Sequence, residues 1–322
     1  MIEAYNMGVR EHGEPFMRTR MEQSAVRLLR NIFRTGLFEN PYLDPEETKG
    51  TAGNEEFMKK GYEAQVKSIV LLKNKARVLP LAKQKTVYIP KRRSGGNRNF
   101  FGGEIPVTVE YPLNTELVKK YFNVTDNPAE ADIALVVIRS PDSGSGYDAT
   151  EAKKGGNGYF PMTLQYGPYR AVDARDPSIA GGDPLEKFTN RTYRNKTVTA
   201  SNLSDLAMVL DTRKAMKGKP VIVAISMSKP MVFKEFEKEA DAILASFEVQ
   251  DQAILDILTG VAEPTGLLPM QMPADMKTVE LQAEDVPFDL ECHIDSEGNK
   301  YDFGFGMNWG GVIKDGRTVK YR

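Results

Sequence analysis

The chain has 322 residues, 41% of them hydrophobic, which is enough for one large α/β domain or two modest ones with a substantial core in either case. Its 43 basic and 44 acidic residues nearly cancel, so no global field draws it onto nucleic acid or an anionic membrane, and a neutral partner suits it better. The single cysteine, Cys292, excludes an internal disulfide; with only His12 and His293 beside it no zinc cluster can be assembled, and neither a metal nor a cofactor is expected.

Residues 1–10 have neither a basic n-region nor an apolar h-region, and no apolar run approaches the roughly 20 residues of a membrane span. From Glu14 to Phe33, apolar residues recur at Met17, Met21, Val26, Leu29 and Phe33, the spacing of an amphipathic helix in search of a partner, with Gly36 as its stop. A polar loop follows Tyr42, and the composition breaks near Lys49 to Gly53 as a linker would. A second helix is expected from about Glu55 to Leu72, capped by Asn54 and carrying two acids in its first turn.

Beyond it, short apolar runs alternate with helical stretches. Thr86 to Ile89, Ile133 to Ile138, Val221 to Ser226, Ala242 to Phe247 and Leu267 to Met272 read as strands. Thr115 to Tyr121, Ser204 to Met216 and Gln250 to Leu258 read as helices. This is the pattern of a three-layer α/β/α sandwich around a mostly parallel sheet, preceded by the amphipathic helix and linker. The stretch from Ser140 to Ser201 has little periodicity and many Gly, Pro, Asn, Arg and Asp residues. A loop of that length in a compact domain is usually functional or disordered; because it leaves the carboxyl end of a strand, where open α/β sheets place their ligands, function is favoured. The tail beyond Glu291 sets Tyr301, Phe303, Phe305 and Trp309 among glycines and reads as an aromatic brace.

Five segments, in order, resemble family 3 glycoside hydrolases of the β-glucosidase and β-xylosidase kind. They are RLLRNIFRTGLFENPY (Arg27 to Tyr42), KSIVLLKN with VLPL (Lys67 to Leu81), ADIALVVI (Ala131 to Ile138), ILDILTG with EPTGLLPMQMP (Ile254 to Pro273) and YDFGFGMNW (Tyr301 to Trp309). The resemblance implies that residues 1–50 are the last helix and linker of a (β/α)8 barrel and that 51–322 are the α/β-sandwich domain. It implies a carbohydrate substrate and, as partner, a barrel that bears the nucleophile in a Ser-Asp-Trp motif. Here the only tryptophan is Trp309, and Ser204-Asp205 is followed by Leu206. The isolated chain is therefore expected to be inactive, as a piece of a longer enzyme or a split protein.

Retaining glycosidases need a second carboxyl group, held protonated, to donate to the leaving oxygen. The resemblance puts it on the loop after Ile138, where Thr150, Glu151, Ala152, Lys153, Lys154, Gly155 is the nearest counterpart of the family pattern, so Glu151 is the candidate acid/base. Asp148 and Glu186 are its rivals. Tyr147, Asp148, Asn157 and Tyr159 are the candidate sugar contacts; Tyr166 and Tyr169 fit either that role or the tethering of the loop. Arg92, Arg93 and Arg98 suit an anion, an acidic sugar or plain solvent.

Other chemistries fit poorly. Gly144 to Ala149 spells G-x-G-x-x-A, but Pro141 and the glycines that follow forbid the helix needed to receive a pyrophosphate. No Walker loop and no Gly-x-Ser-x-Gly elbow occurs. The remaining alternative is a non-catalytic carbohydrate-binding or accessory domain that completes a partner's active site. Asn123, Asn190, Asn195 and Asn202 head Asn-x-Ser/Thr sites, relevant only in a eukaryotic secretory setting.

Overall fold

The computed structural model describes residues 2–82, 84–96, 103–175, 192–283 and 286–320. The chain divides into two units, one ending at Gly61 and one beginning at Tyr62. The first holds α1 (Ile2–His12), α2 (Glu14–Arg34), α3 (Pro45–Thr51) and the start of α4 (Glu55–Ser68). Gly13, at φ 84, separates α1 from α2, and Met17 folds back over Gly8, so that it is the one buried residue of α2. The other members of the expected apolar stripe, Met21, Val26, Leu29 and Phe33, are exposed. Where the sequence suggested a polar loop and linker, α3 forms. Asp44 accepts a hydrogen bond from the Glu46 N–H at 2.8 Å and Pro45 takes the first helical turn, a local start signal strong enough to wind seven residues.

The second unit is built on strands β1 (Val70–Asn74), β2 (Thr86–Tyr88), β3 (Arg92–Ser94), β4 (Thr108–Glu110), β5 (Asn123–Thr125) and β6 (Ile133–Arg139). After them come β7 (Tyr169–Arg170), β8 (Thr197–Val198), β9 (Val221–Ser226), β10 (Ala242–Ser246), β11 (Met307–Asn308) and β12 (Gly311–Val312). Its helices are α5 (Thr115–Val118), α6 (Ala149–Lys153), α7 (Leu203–Met216), α8 (Asp251–Leu258), α9 (Met276–Leu281) and α10 (Gly316–Lys320).

Eight strands form one sheet in the order β12-β11-β1-β10-β9-β6-β2-β5. The five from β10 to β5 are parallel, while β1, β11 and β12 close the other edge antiparallel. The expected mostly parallel sheet is therefore present. Alternation within each strand sends residues to two separate cores. Ala134, Val136, Ile138, Val223 and Ile225 meet α7 and the aromatic tail, whereas Ile133, Leu135, Ile222, Ala224 and Leu244 meet α5 and α8. Each fully buried Ile or Leu contributes about 1.5–3 kcal/mol, and burial on both faces explains why these strands read as unbroken apolar runs.

Two expected elements differ. The helix starting at Glu55 stops at Ser68, and Val70–Asn74 is a strand. The run Ile69-Val70-Leu71-Leu72 fits either state by periodicity; pairing with β10 on one side and β11 on the other decides it. Leu267 to Met272 joins no sheet. It is an extended brace whose Leu268 and Met272 N–H groups donate to Phe305 and Tyr301 carbonyls at 2.7 and 3.0 Å, and Pro269 and Pro273 remove the donors a ladder would need. The tail is seated by its rings: Tyr301 lies edge-on to Phe233 at 5.1 Å and stacks with Phe305 at 5.4 Å.

Candidate functional site

The loop leaving β6 folds back on itself. The Asp148 N–H donates to the Gly158 carbonyl and the Phe160 N–H to the Gly146 carbonyl, both at 2.8 Å, which makes a small hairpin with α6 at its tip. Asp148 starts α6, accepting from the Thr150 N–H at 2.7 Å and the Glu151 N–H at 3.3 Å; those backbone donors hold its carboxyl below the usual range. Glu151, in the first turn of α6, bends over Gly156, where a Cβ would lie 2.0 Å from its Oε1, so a larger residue there would displace the carboxylate. Its Oε2 accepts the Gly158 N–H at 2.5 Å, and its Oε1 pairs with the Lys196 ammonium at 3.1 Å. Lys196 also donates to Asn157 Oδ1 at 2.6 Å and lies over the Phe160 ring.

Asn157 in turn donates to the Thr192 carbonyl at 2.6 Å, and Tyr147 meets Tyr159 edge-to-face at 5.4 Å. The structure thus brings all five sequence-selected residues, Tyr147, Asp148, Glu151, Asn157 and Tyr159, into one knot tied to residues 192–196. The polar atoms of Glu151 and Asn157 are used within it; the open surface includes the exposed Asp148 and the half-exposed ring of Tyr147. Tyr166 is a core residue, its hydroxyl donating to the Arg139 carbonyl at 2.5 Å, and the Tyr169 hydroxyl bonds Glu280 at 2.6 Å. Glu186 and Arg98 lie outside the described residues.

A second feature lies where the parallel strands end. A cavity of about 290 Å³ opens at the carboxyl ends of β6 and β9, and Arg92, Arg93, Arg139 and Lys229 line it with Asp142 and Glu248. Arg92 is spoken for. Its guanidinium grips the buried Asp205 with two bonds of 2.9 Å, and Asp205 also accepts from the Arg139 N–H and the Asn202 amide. Asn202, at the head of α7, accepts the Asp142 N–H at 2.8 Å and so sews the helix start to the end of β6. Of the residues here, the sequence pointed to Arg92 and Arg93. Arg139, Lys229 and Glu248 went unnoticed, although polar residues directly after buried strands are the signal that finds them.

The glycosyl hydrolase family 3 C-terminal domain matches residues 180–309. Over those residues the chain is similar to the family 3 C-terminal domain. This chain is 30% identical to the probable beta-glucosidase C of Aspergillus flavus over 291 residues, 90% of this chain and 35% of that protein. It is 24% identical to a putative beta-xylosidase of Formosa agariphila over 307 residues, 92% of this chain and 37% of that protein. Among solved structures, the beta-glucosidase from Listeria innocua in complex with glucose superposes with a TM-score of 0.50 at 19% identity, over 94% of this chain and 40% of that one, a likeness of fold. The chain spans about a third of the length of the curated relatives it matches.

Proposed function

We propose that this chain is the sandwich part of a β-glucosidase-like glycoside hydrolase, shaping one wall of a sugar site whose covalent step belongs to a (β/α)8 barrel. The observation that carries the reading is the alignment of nine-tenths of the chain with only a third of a probable beta-glucosidase. The exposed stripe Met21, Val26, Leu29 and Phe33 of α2 is the surface on which such a barrel would seat. Within this reading Glu151 is the proton donor, on the loop that leaves the carboxyl end of β6.

A specific observation favours a second role for Glu151. Both of its oxygens already accept, from the Gly158 N–H and from Lys196, so a proton on the carboxyl would displace one of those donors. In that case Glu151 clamps the loop and the donor is another group. One experiment separates the roles. The chain alone is expected to leave p-nitrophenyl β-glucoside intact; joined to its barrel, Glu151→Gln is expected to slow hydrolysis of alkyl glucosides about 10²–10⁴-fold, the usual worth of a general acid. Substrates with a leaving group that needs no proton should be nearly spared. Equal rates for wild type and Glu151→Gln on alkyl glucosides would assign the clamp, and turnover by the chain alone would overturn the division of labour.

A further inference from the structure

The order of the parallel strands, β5-β2-β6-β9-β10, shows that the chain winds in two directions. It steps outward from β2 to β5, then returns to the other side of β2 to lay down β6, β9 and β10 in turn. The connecting helices obey the reversal: α5, between β2 and β5, packs in one core, and α7, between β6 and β9, packs in the other. In open α/β sheets the crevice outside the carboxyl ends of the two strands where winding reverses is where ligands bind, because the connections diverge to opposite faces and leave it uncovered. Here those strands are β2 and β6. The segments that follow them, beginning at Arg92 and Arg139, are walls of the cavity of about 290 Å³.

The chemistry of that crevice is not that of idle surface. Arg92 is neutralised by Asp205, but the side chains of Arg93, Arg139 and Lys229 have no ion-pair or hydrogen-bond partner among the described residues. Two carboxylates face them. Asp142 is occupied by the Ser201 hydroxyl at 3.0 Å and the Gly144 N–H at 3.1 Å, and Glu248 is the second carboxylate of the lining. Within this cavity, three unpaired cations against two carboxylates leave one positive charge uncompensated. The hydroxyls of Ser204, Ser226 and Ser228, which also line the cavity, bond nothing among the described residues and are ready for a polyhydroxylated ligand. An adjoining hollow of about 360 Å³ shares Arg92, Arg139 and Glu248 and is lined by Leu113, Val137 and Ile254, so a ring has apolar surface beside the cations; its own carboxylates, Glu110 and Asp251, the latter accepting the Asn114 N–H, disfavour an anion there and leave the oxyanion to the first cavity.

We propose that this crevice binds a sugar bearing a single negative charge, a carboxylate or a sulfate ester, with Arg93, Arg139 and Lys229 on the oxyanion and the serines on ring hydroxyls. The choice of a sugar rests on the glycoside hydrolase reading; the choice of a monoanion rests on the charge count. The test is calorimetric binding of glucuronate, glucose 6-sulfate, glucose and inorganic sulfate to the full chain at low ionic strength. Glucuronate or the sulfate ester should bind about tenfold or more tighter than glucose, and Arg93→Gln with Arg139→Gln should remove that preference while the far-UV spectrum and melting temperature stay those of the wild type. Which of the two anions binds tighter identifies the group. Lys229→Gln alone should weaken glucuronate and leave glucose unaffected.

Glucose binding as tightly as glucuronate, or a preference that survives the double substitution, overturns the site. Inorganic sulfate binding as tightly as glucuronate overturns the sugar. Because binding is read without turnover, neither result bears on whether the chain serves a hydrolase, and failure of hydrolysis leaves the binding result standing.

Discussion

Lys73 is a cation placed where cations rarely lie. Its ammonium, 1% exposed, donates to Glu237 Oε1 at 2.5 Å, the Glu237 carbonyl at 3.0 Å and Ser296 Oγ at 2.9 Å. Burial works against the charge on Glu237, yet the bonds from Lys73 and Ser296 hold its carboxyl below its ordinary value. Removing one partner strands the other in the core, so Lys73→Met or Glu237→Leu alone should lower stability by about 3–5 kcal/mol in urea titrations, and the double substitution should recover most of the loss. His293 lies beside this pair, with its Nε2 unpartnered among the described residues. Burial pushes its imidazole below the usual 6.5 in spite of the nearby carboxylates of Glu237 and Asp295. The unfolded chain then takes up a proton at a higher pH than the folded one. Stability should be full above about pH 6.5 and fall as the pH drops below it, with the Glu237 contribution lost only at lower pH still. Thermal melts of wild type and His293→Phe between pH 8 and 5 check this; the variant should show the shallower decline. Neither group announced itself in the sequence, since Lys73 reads as the polar end of an apolar run and only the fold brings Glu237, 164 positions away, against it.

At the scale of elements, the brace of residues 266–272 depends on two glycines. A Cβ on Gly266 would lie 2.5 Å from the Ile69 carbonyl oxygen, and one on Gly306 would lie 2.3 Å from the Gly266 carbonyl oxygen. Backbone, not a yielding side chain, fills that space. Gly266→Ala is therefore expected to cost about 1–3 kcal/mol by forcing the brace off β1, while Gly50→Ala, with nothing within 4 Å, should be neutral or mildly stabilising. Chemical denaturation of the two variants makes the comparison. The same region shows how far local pattern reaches. The parallel strands at Ile133 and Val221 were legible because burial on both faces demands uninterrupted apolar runs. Val70 to Leu72 falls inside the expected helix yet is strand, because a four-residue apolar run carries no period, and Leu267 to Met272 reads as strand although it joins no sheet, because apolarity alone does not say that prolines have removed the ladder.

Over the whole molecule the balanced charge conceals local imbalance. The cations of the crevice come from the end of β6 and the segments after β2 and β9, separated by up to 137 positions between Arg92 and Lys229, and no window of sequence contains them together. The loop knot is similar in kind: Asp148 and Glu151 are neighbours in the chain, but the Lys196 that pairs with Glu151 arrives from beyond the long irregular segment. What the sequence determined by itself was the α/β class, the alternation of runs and helices, and a family resemblance carried by segments that are each local. Those depend on side-chain period and on contiguous motifs, which a linear reading can see. Tertiary structure alone decided which strand lies beside which, where the winding reverses, and which charges are left without partners. Pairing and compensation are properties of distance in space, and residues far apart in the chain meet only when the sheet has formed.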